Sequence, residues 1–214
     1  LDVALVGIPK KQKFVDLGAG LGKVCLWVAM TTNFEEILGI EIIDDLVSKA
    51  HDLQSTLEKH LNRRDMVLGS KKFDLIQGDF LSDEHEWEEA DLIFANSACF
   101  TEDLMMKLSV KSQACKPGTR FITFTASLDS PYWKVIYKQQ FAMSWGPATV
   151  FVHLRRPSEE VQTILKEGGA NDYQGTFDDP STTDDDDNDD QEYDLIDEVN
   201  EWRDGNVYET DDFI

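Results

Sequence analysis

The chain has 214 residues and a formal net charge of −22, and its excess acid is concentrated at one end. Residues 171–214 hold eighteen of the 42 acidic residues and only Arg203 among the basic ones, so they carry −17 while residues 1–170 carry −5. This balance argues against a strong footprint on nucleic acid, which needs a basic patch. No apolar run is long enough to span a membrane.

Three cysteines, Cys25, Cys99 and Cys115, lie far apart and form no C-x-x-C pair or histidine cluster, so the pattern indicates neither a disulfide framework nor a metal site. We expect them to be buried thiols that pack as small apolar side chains. The chain begins at Leu1 and shows no signal peptide, so we expect a fragment from a reducing compartment, the nucleus or the cytoplasm.

Residues 14–23 carry the clearest motif in the chain. Apolar residues lead into and past Asp16, glycine follows at positions 18, 20 and 22, and an amphipathic run continues to Met30. This pattern predicts a buried strand, a tight turn and a helix. Glycine tolerates positive φ and has no Cβ to block a ligand, and the helix points free N–H groups at the turn. The motif therefore predicts a nucleotide-cofactor site.

The glycine spacing distinguishes between cofactors. A dinucleotide-binding turn would place its third glycine at position 23, which is Lys23, whereas the third glycine is Gly22. Gly-x-Gly-x-Gly after Asp16 resembles the first motif of class I S-adenosylmethionine (SAM) methyltransferases. SAM has no pyrophosphate, and its ammonium group needs an acidic partner. The alternative is a turn that only lets the helix pack on the strand.

The next segment, residues 36–42, is rich in β-favouring residues and places Glu41 near its end, nineteen residues after Gly22. Nucleotide-binding folds have an acidic residue at about this distance that accepts hydrogen bonds from ribose hydroxyls. We expect Asp44 to cap a helix, because apolar residues recur with a helical period from Leu46 to Leu61. These segments complete a β-α-β-α unit.

A third strand is predicted over residues 73–77 and leads into Gly78-Asp79-Phe80. In SAM enzymes an acidic residue at this place accepts from the adenine amino group, and its apolar neighbour covers the ring. Asp79 and Phe80 match those residue types. The alternative is that both residues only cap an acidic helix over residues 83–89.

The fourth predicted strand, residues 91–95, ends at Asn96. Ligands of open α/β sheets bind outside the carboxyl ends of the strands, so Asn96 is a candidate for the reacting centre. Its amide does not titrate, so Asn96 would position a nucleophile without removing its proton. The alternative is an asparagine that only ends the strand in a turn.

The rest of the body predicts a helix over residues 101–115, a fifth strand over 120–124, and two β-rich runs between 137 and 154 around Trp145-Gly146-Pro147. The predicted fold class is therefore α/β, a Rossmann-like, mostly parallel sheet with an antiparallel C-terminal hairpin, as in class I methyltransferases. We assign residues 1–168 to this domain. We assign residues 169–214 to a largely disordered acidic tail.

One part of the tail has helical spacing. Leu195, Ile196, Val199 and Trp202 form a short apolar stripe, so we expect a docking helix over residues 192–203. The alternative is a solvated tail with chance spacing.

Together the motifs resemble the disruptor-of-telomeric-silencing family, histone lysine methyltransferases that lack a SET domain. The matching segments, within about residues 1–156, are Phe14-Val15-Asp16-Leu17-Gly18 with Gly20 and Gly22, Gly39-Ile40-Glu41, Gly78-Asp79-Phe80-Leu81-Ser82, Ile93-Phe94-Ala95-Asn96 with Phe100, Ser144-Trp145-Gly146 and Phe151-Val152-His153. The resemblance implies SAM as cofactor and a lysine amine of a basic, histone-like protein as methyl acceptor. The chain departs from the family at Ser97, where a second asparagine is usual, and at Cys99, where an aromatic residue is usual.

The resemblance also implies the site residues. The cofactor would be held by Asp16, Gly18, Ala19, Gly20, Gly22, Glu41, Ile42, Gly78, Asp79, Phe80 and Asn96. The catalytic residues would be Asn96, at the point of methyl transfer, and Trp145 and Phe151, as walls of a narrow lysine channel. A dry channel disfavours the ammonium form of lysine, whose reference pKa is about 10.4, so no strong base is required. The alternative for both aromatic residues is ordinary hairpin packing.

Two other functions fit part of the pattern. One is methyl transfer to an amino group of a small molecule or nucleic acid, although the DNA enzymes of this type have prolines after the strand-end residue and Asn96 is followed by none. The other is a non-catalytic SAM-binding scaffold that acts through the tail. We therefore predict a SAM-dependent protein-lysine N-methyltransferase that uses no metal, acts on a basic protein and has a docking partner for its acidic tail.

Overall fold

The computed structural model describes residues 12–62, 71–143 and 146–167. Its strands are β1 (Lys13–Leu17), β2 (Glu36–Glu41), β3 (Lys72–Gln77), β4 (Leu92–Phe94), β5 (Arg120–Phe124), β6 (Trp133–Met143) and β7 (Gly146–Arg155). Its α-helices are α1 (Lys23–Thr31), α2 (Asp44–Asn62), α3 (Glu102–Lys111) and α4 (Ser158–Lys166), with single 3-10 turns at Ser97–Cys99 and Ser112–Ala114. Trp145, the acidic tail and its expected helix at 192–203 lie outside the described residues.

The seven strands form one sheet in the order β3-β2-β1-β4-β5-β7-β6. Strands β1 to β5 run parallel, whereas β7 is antiparallel to β5 and β6 is antiparallel to β7. The strand order reverses at β1, which lies between β2 and β4, and a crevice for ligands is expected at the carboxyl ends of these strands. The predicted α/β fold with an antiparallel C-terminal hairpin is confirmed.

The central strands are buried on both faces, which is why they read as almost continuous apolar runs. Val15, Ile93 and Phe121 are neighbours in the strand register and belong to one apolar layer. Phe14 and Leu92 are paired in the same way and belong to the opposite layer, beneath α1. Among the described residues, no helix is both long enough and apolar enough to cross a bilayer.

The helix predicted over residues 83–89 is wrong, because this segment forms turns. It is held instead by contacts with distant parts of the chain. Trp87 is completely buried and donates from Nε1 to the Phe80 carbonyl at 2.7 Å. Lys111 of α3 places its Nζ 3.0 Å from an Asp83 carboxylate oxygen and 3.2 Å from a Glu88 oxygen. Tertiary packing here outweighs a local helical preference.

Two smaller predictions also need correction. Asp44 is the first residue of α2 and not its cap, and the Ile43 carbonyl accepts the first hydrogen bonds of that helix. Cys25 and Cys115 are buried as expected, but Cys99 is exposed because it follows β4 on the 3-10 turn.

His153 shows how β7 is attached to β5. Its ring is completely buried, with Nδ1 2.9 Å from the Phe121 carbonyl, and Nε2 accepts the Leu128 N–H at 3.1 Å. Burial lowers the pKa of His153 to about 4, so the ring is neutral and Nδ1 carries the proton that it donates. The histidine therefore fixes β7 and the segment after β5 as one unit.

Candidate active site

The glycine turn connects the carboxyl end of β1 to α1 and is held against β2. The N–H groups of Gly18 and Ala19 both donate to the Ile40 carbonyl, at 2.9 and 3.0 Å. Gly18, Gly20 and Gly22 have φ values of +79°, +56° and +69°, a conformation that side chains with a Cβ disfavour. A Cβ at Gly20 would meet no atom within 4 Å. The turn therefore leaves open space beside its backbone, as a ligand would require.

Asp16, the last but one residue of β1, lies beneath this turn and is only 2% exposed. Its Oδ2 lies 3.8 Å from the Cys25 sulfur, a weak donor on the first turn of α1. Burial raises the pKa of Asp16 to about 7; the Cys25 hydrogen bond opposes this increase, and the nearby charge of Glu41 adds to it. A cationic group placed here would favour the ionised carboxylate.

Glu41 is a second buried carboxylate, at the end of β2. Its two oxygens accept the backbone N–H groups of Gly20, at 2.8 Å, and of Ile43, at 3.0 Å. Glu41 therefore shapes the glycine turn from below, a role that its sequence position did not indicate. Each carboxylate oxygen can accept more than one hydrogen bond, so both retain capacity for a ligand. The neighbouring Ile42 is 63% exposed.

The end of β3 lies beside the end of β2, because the Gly78 N–H donates to the Glu41 carbonyl at 2.9 Å. Asp79 is exposed, and its Oδ1 accepts the Leu81 N–H at 2.8 Å, which fixes a tight turn. Phe80 is half-buried beside it. Asp79 and Phe80 therefore do not cap a helix, and both lie at the edge of the sheet that carries the glycine turn.

Two further residues lie at this edge that the sequence reasoning did not include among the site residues. Phe100 stacks on Phe80, with ring centroids 5.8 Å apart and planes at 22°, and a Cβ at Gly18 would lie 3.5 Å from the Phe100 ring. His85 lies so close to Gly78 that a Cβ there would be 2.0 Å from its Nε2. Phe100 could have been found as the last aromatic residue of its motif, whereas His85 belongs to no motif.

Asn96 follows β4 at the point where the strand order reverses. The Ala95 N–H donates to the Ile122 carbonyl at 2.9 Å, and the chain then leaves the sheet, with Asn96 at φ −74° and ψ 77°. The Asn96 side chain is exposed. It is therefore available to a ligand at the same edge as Asp16 and Glu41.

Phe151 belongs to β7 and is 3% exposed. It lies opposite Thr123 in the register with β5, and its ring is 6.0 Å from that of His153. The Lys138 Nζ is 5.4 Å from the Phe151 ring centroid, a cation–π contact across β6 and β7. Phe151 is thus a fixed, buried aromatic residue in the strand next to β5.

A known protein family matches most of the part of the chain that forms this site. Residues 3–140 match the family model described as "Histone methylation protein DOT1". The chain belongs to the DOT1 family. The resemblance inferred from the motifs is thereby confirmed.

Two curated relatives of this DOT1 chain are both named "Histone-lysine N-methyltransferase, H3 lysine-79 specific". The Caenorhabditis elegans protein is 33% identical over 122 residues, which are 55% of this chain and 13% of the relative. The Drosophila melanogaster protein is 27% identical over 122 residues, 55% of this chain and 6% of the relative. This DOT1 chain therefore spans a small part of the length of both relatives.

A solved structure supports the fold of the DOT1 chain. The RNA methyltransferase of Salinibacter ruber in complex with S-adenosyl-L-homocysteine has a TM-score of 0.53 and 22% identity, covering 73% of this chain and 88% of that one. At this identity the likeness concerns the fold.

For a DOT1 member, the structure brings most of the predicted site to one edge. The carboxyl ends of β1 to β4 carry Asp16, Gly18, Ala19, Gly20, Gly22, Glu41, Ile42, Gly78, Asp79, Phe80 and Asn96. Phe151 lies in the neighbouring antiparallel strand. Trp145 precedes the first described residue of β7, so its expected place in the site stays a prediction.

Proposed function

We propose that this chain is a SAM-dependent methyltransferase that acts on a lysine amine of a basic, histone-like protein in the nucleus. One observation carries the proposal: two buried carboxylates, Asp16 and Glu41, lie beneath an open glycine turn at the sheet edge where Asn96 follows β4. Membership of the DOT1 family and the names of the two curated relatives support the choice of substrate.

The residues at this edge fit the cofactor. An anionic Asp16 in its buried position costs free energy that a cationic ammonium group would offset, so Asp16 is the natural partner for that group. Glu41 would accept hydrogen bonds from the ribose hydroxyls. Ile42 and Phe80 would cover the adenine ring, with Asp79 accepting from its amino group. Gly20, where a Cβ would meet no atom within 4 Å, would leave room for the ligand, with Gly18 and Ala19 beside it, whereas Gly22 and Gly78 pack closely against Leu75 and His85.

Methyl transfer requires correct orientation of the lysine amine toward the methyl group more than it requires acid–base catalysis. SAM, when bound, supplies a methyl group that forms a bond to the lysine nitrogen as the bond to sulfur breaks and its electron pair stays on sulfur. Asn96 would accept a hydrogen bond from the amine and so direct its lone pair. Phe151 and Trp145 would exclude water, which disfavours the ammonium form of lysine before transfer. The proton that leaves the lysine ammonium before transfer passes to water, and the methylated nitrogen carries the positive charge afterwards.

The first test replaces Asn96 by Ala in the full-length protein. Because Asn96 would orient the amine and also contact the cofactor, we expect kcat to fall about 100-fold and the Kd for SAM to rise by a smaller factor. Labelled SAM with histone substrates gives kcat, and calorimetry gives the Kd. Asn33→Ala is the matched control, because Asn33 is an exposed asparagine in the turn before β2.

The same assay separates the alternatives. Label that appears on RNA or on a small molecule, and not on protein lysine, would contradict the proposed substrate class. SAM binding without turnover on any of these acceptors would instead indicate a scaffold.

We also propose that the acidic tail attracts the basic substrate by long-range electrostatics. Deletion of residues 171–214, which carry a net charge of −17, should raise the Michaelis constant for a basic protein about tenfold at low salt. The difference should shrink at high salt, because counterions screen exposed charges. A Michaelis constant that does not change at low salt would exclude this role and leave the tail as a docking site for a partner.

A further inference from the structure

We propose that Ser97 is a positioning residue that holds Asn96 in place for methyl transfer. The inference rests on the proposed function, because it assigns a task to the residue that follows Asn96. Ser97 stands at the position where the family pattern has a second asparagine.

The Ser97 hydroxyl makes two hydrogen bonds to one residue of β5. Its Oγ donates to the Phe124 carbonyl at 2.7 Å and accepts the Phe124 N–H at 2.9 Å. The side chain is 2% exposed, so these bonds are shielded from water. A single hydroxyl therefore satisfies both backbone groups of the last residue of β5, as a paired strand residue would.

This contact extends the β4–β5 pairing past the end of β4. The last backbone bond is the one from the Ala95 N–H to the Ile122 carbonyl. The backbone of Ser97 is used within its own turn, because its N–H donates to Ala95 at 2.8 Å and its carbonyl accepts from Phe100 at 3.0 Å. Asn96 is thus fixed between two attachments to β5, a backbone bond on one side and a side-chain clamp on the other.

Phe124, the residue that Ser97 contacts, is held in place by the bonds of its two neighbours. Thr125 follows Phe124 with φ +70°, a conformation that a β-branched residue adopts only when its surroundings impose it. The Thr125 N–H donates to the Thr149 carbonyl of β7 at 2.7 Å, and the Thr123 hydroxyl donates to the Ala126 carbonyl at 2.7 Å. Thr123 in turn is the register partner of Phe151. The clamp therefore ties Asn96 to the end of β5, the strand that pairs with β7 and its Phe151.

The test compares Ser97→Ala with a matched buried serine. Ser112 is completely buried, its Oγ donates to the Ser109 carbonyl at 2.8 Å, and it accepts the Trp133 Nε1–H at 2.9 Å. Ser112→Ala thus removes the same number of bonds away from the site. We expect Ser97→Ala to lower kcat at least about tenfold with the Kd for SAM within about twofold, and Ser112→Ala to keep kcat. Ser97→Thr, which restores the hydroxyl, should recover most of the rate.

Hydrogen exchange in the full-length protein gives an independent readout, measured at a temperature where both alanine variants are folded. The peptide that covers residues 95–100 should exchange faster in Ser97→Ala and at the wild-type rate in Ser112→Ala. If no such temperature exists, Ser97→Cys replaces Ser97→Ala, since a thiol is a weak donor.

Three results would overturn the inference: a wild-type kcat in Ser97→Ala, an equal loss of kcat in Ser112→Ala, or unchanged exchange of residues 95–100. If the wild-type protein methylates nothing, the proposed function fails, and the exchange comparison still decides whether Ser97 holds this segment.

Discussion

Asp16→Asn is expected to stabilise the ligand-free protein at pH 8 and to remove its affinity for SAM. Burial raises the pKa of Asp16 from 3.8 to about 7, so a neutral amide suits this position better than the carboxylate that exists at pH 8. Each pKa unit corresponds to about 1.4 kcal/mol, so the gain is at most about 4 kcal/mol. The cofactor's ammonium loses its buried counterion in the same variant.

The pH dependence follows from the direction of the shift. Between pH 3.8 and about 7 the folded protein keeps the Asp16 proton while the unfolded chain releases it. The free energy of unfolding therefore falls as the pH rises through this window, and the Asp16 contribution is lost above about 7. Conversely, the wild-type affinity for SAM should increase as the pH rises through 7, because the cation binds the ionised form.

Urea unfolding at pH 5 and pH 8, with calorimetric titration of SAM, measures both effects. Asp74→Asn is the control, because Asp74 lies on β3 with a half-exposed side chain that pairs only loosely, at 3.9 Å, with Lys72. Its unfolding free energy should change by less than about 1 kcal/mol. Equal stability of wild type and Asp16→Asn at pH 8, or SAM binding by the variant at wild-type affinity, would contradict the role assigned to Asp16.

The second large effect is expected at Trp87. Its ring is completely buried and meets the Phe121 ring edge-on at a centroid distance of 6.4 Å. Trp87→Ala should lower the free energy of unfolding by about 3–5 kcal/mol, because a large cavity replaces the ring. It should also weaken SAM binding, because the Phe80 carbonyl loses the indole hydrogen bond that supports the turn after β3.

Trp27→Ala is the matched control, because Trp27 on α1 is 45% exposed. Its effect on stability should be within about 1 kcal/mol. Trp87→Phe separates the contribution of packing from that of the indole hydrogen bond, since it keeps most of the packing and removes the hydrogen bond. Chemical denaturation measures stability, and calorimetry measures SAM binding. If Trp87→Ala lowers the free energy of unfolding no more than Trp27→Ala does, the segment 83–89 is not held as described.

Local patterns predicted much of this fold correctly because they depend on neighbours along the chain. The fifth strand was expected over residues 120–124 and has those bounds, and the third differs by one residue. β5 is a short, mainly apolar run, and β3 has apolar residues at 73, 75 and 76, so composition and length identify both as strands. The helix predicted over residues 83–89 was wrong because the conformation of this segment depends on contacts that no local pattern records. Lys111 pairs with Asp83 and Glu88, and Trp87 bonds to the Phe80 carbonyl.

In the candidate site, too, local patterns predicted the residues but not their distant partners. Asp16, the glycines and Glu41 were predicted from spacing, since a nucleotide turn needs these residue types at fixed intervals along the chain, and Asn96 was predicted from its place after the fourth strand. Their partners were not: Glu41 binds the amide of Gly20, twenty-one residues away, and Ser97 binds Phe124, twenty-seven residues away. No periodicity records which backbone group a carboxylate or hydroxyl will reach.

The sequence by itself therefore determined the order of the strands along the chain, the glycine turn and the residue types at the sheet edge. Each of these depends on backbone preference and on the alternation of apolar residues, which are local properties. Only the tertiary structure decided that Asp16 is buried, which raises its pKa to about 7, that Phe100 stacks on Phe80, and that the Ser97 hydroxyl bonds to Phe124 of β5. Burial and hydrogen-bond partners depend on which distant segments pack together, and that information exists only in the folded chain.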